Sequence, residues 1–146
     1  MLLIDTNVLV HAVNRDADEH ERCRALIESC RRSAEPWHAT WPILYEFLRV
    51  VTHPIMPRPL KVTHAWSVIE GIFASPGFAV LQPTSRHAEV AAETFASMPW
   101  LRANVLHDAH TAIVMREHGI RTIYTLDQAF RQFTFLHVLD PLSETF

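Results

Sequence analysis

Four of the sixteen acids in this chain stand where a carboxylate is costly without a reason. Asp5 follows the apolar run Leu2-Leu3-Ile4, and Asp127 follows Thr122-Ile123-Tyr124-Thr125-Leu126. Glu46 is the single acid in WPILYEFLRVVT, and Asp108 falls in the first turn of a helix opening at Leu106. Each has an ordinary reading taken alone. Asp5 could cap the next helix, Asp108 could suit the positive end of a helix dipole, Asp127 could open a turn, and Glu46 could face solvent. Taken together they suggest chemistry. Carboxylates gathered in one cleft repel each other unless a cation joins them. An all-oxygen set, with no clustered His or Cys, favours Mg²⁺ or Mn²⁺ over Zn²⁺. Such a site activates water and stabilises a phosphate under in-line attack.

The elements around these acids alternate. Short apolar runs at Leu2-Leu3-Ile4, Trp37–Thr40, Phe78–Leu81, 122–126 and Leu136–Leu139 predict strands. Helical spacing of apolar residues predicts helices over Thr6–Val13, 19–32, 41–52, 63–74, 86–98 and 106–118, the last stopped by Gly119. Alternation of this kind predicts an α/β fold: three α/β/α layers around a central, mostly parallel sheet. Acids at strand carboxyl ends and at helix N-termini then meet along one sheet edge, where open α/β sheets place ligands.

Length and composition set the class. The 146 residues predict one domain, 1–146, and 49% hydrophobic with 20% charged residues suits a folded globular protein. No apolar run is long enough to cross a membrane, and no signal peptide is visible, so a cytoplasmic protein is expected. Cys23 and Cys30, seven residues apart on one helix, lie about 10 Å apart along its axis and read as reduced, apolar residues. Net charge is −3, so bulk charge does not advertise nucleic-acid binding. Lys61 nevertheless stands alone among twelve arginines, which fork onto phosphates. The ten histidines scatter without a metal-binding spacing. Only Gly71, Gly77 and Gly119 occur, which excludes a glycine-rich phosphate loop. A phosphatase with a nucleophilic Asp would want a second Asp at position 7, where this chain has Asn7.

The motifs LIDTN, YEFLRVVTHP, LHDAHTAIVMREHG and TLDQAF, in this order and spread over essentially the full chain, resemble the PIN-domain family and, within it, VapC toxins of toxin–antitoxin pairs. The resemblance implies a Mg²⁺-dependent (or Mn²⁺-dependent) ribonuclease, a homodimer, held inactive by a VapB-like antitoxin. By position, Asp5 and Asp108 become the main metal ligands, Glu46 and Asp127 complete the acidic site, and Asn7 and Thr125 orient carboxylates or contact phosphate. On this reading Glu46 or Asp127 positions the attacking water, and Arg102, Arg116 and Arg131 hold flanking phosphates at the rim. His107 and His110 are close enough in sequence to approach the site, although the family does without a catalytic His. The chain departs from the pattern at Ala129, where many relatives carry a further acid. That leaves one ion better supported than two, and it keeps open a PIN-like module that binds RNA or a partner without cutting. Trp41, Trp66 and Phe73 read either as core or as a dimer or antitoxin surface.

Overall fold

A computed structural model describes residues 1–143. Five strands, β1 (Leu2–Ile4), β2 (Trp37–Thr40), β3 (Phe78–Leu81), β4 (Thr122–Tyr124) and β5 (His137–Leu139), form one sheet in the order β3-β2-β1-β4-β5. Every pairing is parallel, so the sheet is wholly rather than mostly parallel. Leu3 lies opposite both His38 and Ile123, and Ile4 opposite Tyr124.

Strand order reverses between β1 and β4. The chain first steps outward from β1 to β2 to β3, through α1 (Thr6–Val13), α2 (His20–Arg32), α3 (Trp41–Val51) and α4 (Val62–Phe73). It then returns across the sheet through α5 (His87–Ser97) and α6 (Val105–Glu117) to β4. Right-handed crossovers place these two groups of helices on opposite faces. The contacts agree, with α1 against α2 and α3, α3 against α4, and α5 against α6. Among the described residues no helix is long and apolar enough to cross a membrane.

The helices start and stop for local reasons. Thr40 caps α3 through its hydroxyl, 3.3 Å from the Ile43 N–H, and Pro42 sits in the first turn, where no N–H is needed. Ile43, Leu44, Phe47 and Val51 bury one face of α3, each contributing about 1.5–3 kcal/mol. Gly119, at φ +67°, ends α6 in the left-handed conformation that glycine adopts freely. Gly77 (φ +73°) is tighter still, since a Cβ there would meet the Glu35 carbonyl oxygen at 2.6 Å. Cys23 and Cys30 are both buried and free, and burial pushes their thiols up to about 12 and about 11.

One boundary departs from expectation in an informative way. β4 ends at Tyr124, two residues before the expected Leu126. The Leu126 N–H is diverted to Asn7 Oδ1 at 3.1 Å, and the Asp127 N–H to Thr125 Oγ1 at 2.9 Å. The backbone leaves the ladder in order to build the site.

Candidate active site

Asp5 and Asp127 follow neighbouring strands at the reversal of strand order, the place where a parallel sheet opens a crevice. Asp5, Glu46, Asp108 and Asp127 all line one cleft of about 870 Å³, together with Pro42, Ile43, Tyr45, Arg49, Asn104, His107, His110 and Thr111. The sequence-expected acids therefore meet, contributed by β1, α3, α6 and the β4 exit.

Asp5 is the most constrained of them. It is buried, and it does cap α1, with Oδ1 accepting from the Thr6 N–H at 2.7 Å. Oδ2 accepts from Thr125 Oγ1 at 2.6 Å and from Asn7 Nδ2 at 2.8 Å. Asn7 also donates to Thr125 Oγ1 at 3.0 Å, so three polar side chains from two strand ends lock one another. Thr125 is buried, and its hydroxyl donates to Asp5. Desolvation holds the Asp5 carboxyl above its ordinary value; the Thr125 and Thr6 hydrogen bonds oppose this, and Glu46 and Asp127 add to it.

The other acids are wetter. Asp108 is half-buried, and its carboxyl is pushed up to about 6 by desolvation, then by the nearby Asp127, Asp5 and Glu46. Glu46, with a side chain 52% exposed, accepts from Thr6 Oγ1 at 3.3 Å and pairs with Arg49 at 3.4 Å. Asp127 opens a 3₁₀ turn, Gln128–Gln132, its Oδ1 accepting from the Ala129 N–H at 2.8 Å. Ala129 thus supplies a backbone donor where a further acid was absent from the sequence.

The donor set fits a hard cation. It is all oxygen, and desolvation, with repulsion from the neighbouring acids added to it, resists ionisation of Asp5 and Asp108, a cost that a bound cation offsets. Among the described residues, however, no three of His, Cys, Asp and Glu already form a cation cage.

Two further sequence readings change. Arg116 is not at the rim, because α6 carries it about 12 Å along the axis from Asp108. There it donates to Thr94 at 3.2 Å, pairs with Glu93 at 3.6 Å and lies 5.4 Å from the centre of the Phe135 ring. Arg102 lines a neighbouring hollow that shares only Asn104 with the cleft, and Arg131 is exposed on the 3₁₀ turn outside the lining. The arginine that does line the cleft is Arg49, which sequence reasoning missed although its spacing from Glu46 puts both on one helix face. Tyr45 was missed as well. His107 and His110 do reach the cleft wall.

Comparison with known proteins agrees with this geometry. The PIN domain matches over residues 2–136. Ribonuclease VapC48 of Mycobacterium tuberculosis is 33% identical over 140 residues, 95% of this chain and 96% of the relative. Among solved structures, M. tuberculosis VapC20, described as a sarcin-ricin loop cleaving toxin, superposes with a TM-score of 0.67 at 19% identity, covering 93% of this chain and 97% of that one. VapBC2 from Rickettsia felis, described as bound to a DNA fragment from its promoter, gives 0.65 at 16% identity, with 95% and 97% covered. A PIN-domain match over nearly the whole chain, with a full-length VapC relative and the acids gathered at the reversal of strand order, makes this protein a member of the PIN-domain family, on its VapC branch.

Proposed function

We propose that this chain is a divalent-cation-dependent endoribonuclease hydrolysing RNA phosphodiester bonds, the toxin of a VapBC-type pair restrained by a VapB-like antitoxin. The observation that carries the reading is the meeting of Asp5, Glu46, Asp108 and Asp127 in one cleft. The full-length likeness to a relative named as a ribonuclease supports it, as does the likeness in fold to VapC toxins. The active form is a homodimer, as the family resemblance implies.

Asp5 and Asp108 would hold Mg²⁺ or Mn²⁺, with Glu46 and Asp127 completing the acidic site. When bound, the ion supplies positive charge against the phosphate and an acidified water. Asn7, Thr125 and the Thr6 N–H hold Asp5 in one orientation, so that its carboxylate does not reorganise during the reaction. Glu46 or Asp127 orients the attacking water and takes its proton. Arg49, whose hydrogen-bond partner among the described residues is the exposed Glu46, can exchange it for a phosphate oxygen.

A second reading, an RNA- or partner-binding module without cleavage, draws on Ala129 and on the absence of a ready cation cage among the described residues. Incubating a mixed RNA pool with wild type and Asp5→Asn, in Mg²⁺, in Mn²⁺ and in chelator, separates the two. Metal-dependent cutting by wild type alone is expected. A folded, antitoxin-free wild type that binds metal and leaves RNA intact would establish the second reading instead.

A further inference from the structure

Helix α5 opens at His87, and α6 carries His110 and, about two turns later, Glu117. The His87 ring reaches both. Its Nδ1 meets Glu117 Oε2 at 2.6 Å, and its centre stands 5.5 Å from that of His110, the planes tilted by 55°. Glu117 is fully occluded, and donors from Thr84 and His87 hold its carboxyl below the ordinary value. A carboxylate only accepts, so the hydrogen of this contact sits on His87 Nδ1, and Nε2 is the nitrogen left for a ligand. Metal-bound histidines are oriented in this way, one ring nitrogen given to a carboxylate and the other to the ion. His110 is half-buried in the wall of the acidic cleft. Along the chain the histidines show no metal-binding spacing; the packing of α5 on α6 supplies a pairing that the spacing could not show.

We propose that His87 and His110 form a second cation site at the cleft wall, separate from the carboxylates and selective for a borderline divalent ion, Zn²⁺ above all. Two imidazoles bound to one tetrahedral Zn²⁺, each nitrogen about 2.0–2.1 Å from the ion, have ring centres about 5 Å apart. The observed 5.5 Å lets one ion bridge the rings with little movement of either helix. Nitrogen donors select Zn²⁺ over Mg²⁺, whereas the all-oxygen acids select the reverse, so the two sites divide the available cations between them. Among the described residues no third His, Cys, Asp or Glu completes a cage, so water fills the remaining positions of the ion. The site does not rest on the ribonuclease reading. Its effect on the acids is one of charge: a Zn²⁺ on His110 stands beside the cleft that holds Asp108.

The test is calorimetric titration of Zn²⁺ into the protein in excess Mg²⁺, which occupies the carboxylates, with nitrogen NMR of the imidazole rings recorded alongside. It uses wild type, His87→Ala, His110→Ala and Asp5→Asn, each first checked for fold by circular dichroism. Wild type should take one Zn²⁺ per chain, and the ion should move the His87 Nε2 and His110 ring resonances while His87 Nδ1 keeps its proton. Each His variant should weaken Zn²⁺ binding by at least about 10-fold, and Asp5→Asn should leave it unchanged. His110→Ala keeps the contacts among His87, Glu117 and Thr84, so it tests the site even if His87→Ala fails to fold. Absence of saturable Zn²⁺ binding by folded wild type would overturn the site, and so would full affinity retained in His110→Ala. Loss of binding in Asp5→Asn would overturn it as well, by placing the ion on the carboxylates.

Discussion

Helix α6 carries a carboxylate at each end, and the two behave oppositely. Asp108, in the first turn, is pushed up to about 6, while Glu117, the last residue, is held below its ordinary value. The helix dipole predicts the reverse, since it favours negative charge at the N-terminus. Local partners decide instead. Glu117 is fully occluded, yet it accepts from the Thr84 N–H at 2.8 Å, from Thr84 Oγ1 at 2.6 Å and from His87 Nδ1 at 2.6 Å. Burial raises its carboxyl, and these donors together outweigh the burial. Asp108 has no such donors among the described residues and faces three other acids. One end of α6 is a satisfied structural latch to the turn before α5. The other is left unsatisfied, as a site awaiting a counterion would be.

The sharpest test of that contrast is to neutralise each end in turn. Asp108→Asn should lower RNA cleavage by at least about 100-fold while leaving the fold intact. Glu117→Ala should leave activity per folded molecule nearly unchanged. It should cost about 3 kcal/mol in chemical denaturation, because the Thr84 N–H and hydroxyl and the His87 ring lose a charged acceptor in a buried place. If Glu117→Ala abolished cleavage without loss of stability, the latch reading would be wrong.

Cation binding should be felt at one end only. Mg²⁺ at about 100 times its dissociation constant should stabilise wild type by about 2.7 kcal/mol, read as a rise in melting temperature. Asp108→Asn should lose most of that rise, and Glu117→Gln should keep it. Equal metal stabilisation in all three proteins would place the ion elsewhere.

The pH dependence without metal should also be opposite at the two ends. Asp108 has a folded value of about 6 against an ordinary 3.8, so the folded state binds its proton more tightly. Its penalty is absent below about 3.8, grows between the two values and is complete above about 6. Asp108→Asn should therefore be more stable than wild type by about 1–2 kcal/mol above pH 6, after allowance for its solvent exposure, and equal to it near pH 4. Glu117 has a lowered folded value, so its contribution is full above its ordinary 4.5 and fades as pH falls through the folded value. Denaturation curves for both variants between pH 3 and 8 check the two slopes.

How much of this was legible in sequence follows from which signals are local. Apolar runs such as Leu2-Leu3-Ile4, and the helical spacing of Cys23, Leu26, Ile27 and Cys30, report burial directly, and the elements fall where these patterns put them. Asp5, Glu46, Asp108 and Asp127 were legible because a charge beside an apolar run is locally anomalous, and the parallel topology then brings such ends together. The Glu117 latch was not legible. Glu117 and Thr84 are 33 residues apart, and a Glu near a helix end has no local signature of burial. Arg116 was misjudged for a related reason: nearness to Asp108 in sequence became about 12 Å along a helix. Arg49 and Tyr45 could have been found by asking which side chains share the face of α3 that carries Glu46.

Arg49 also gives the smallest expected effect, and it sharpens the contrast between a pair held for stability and one held for use. Its ion pair with Glu46 is exposed on both sides, with side chains 67% and 52% accessible, so water screens it. Arg49→Ala should change unfolding free energy by less than about 0.5 kcal/mol. If the pair is a resting place for a phosphate-binding arginine, the same substitution should still raise KM for RNA by several-fold, and Arg49→Lys should recover only part of it, since an ammonium lacks the planar fork. The effect on KM should shrink as salt is raised, because phosphate contacts release counterions. A KM that is unchanged at low salt would leave Arg49 as the partner of Glu46 alone, and the positive side of the cleft would then have to come from the cation.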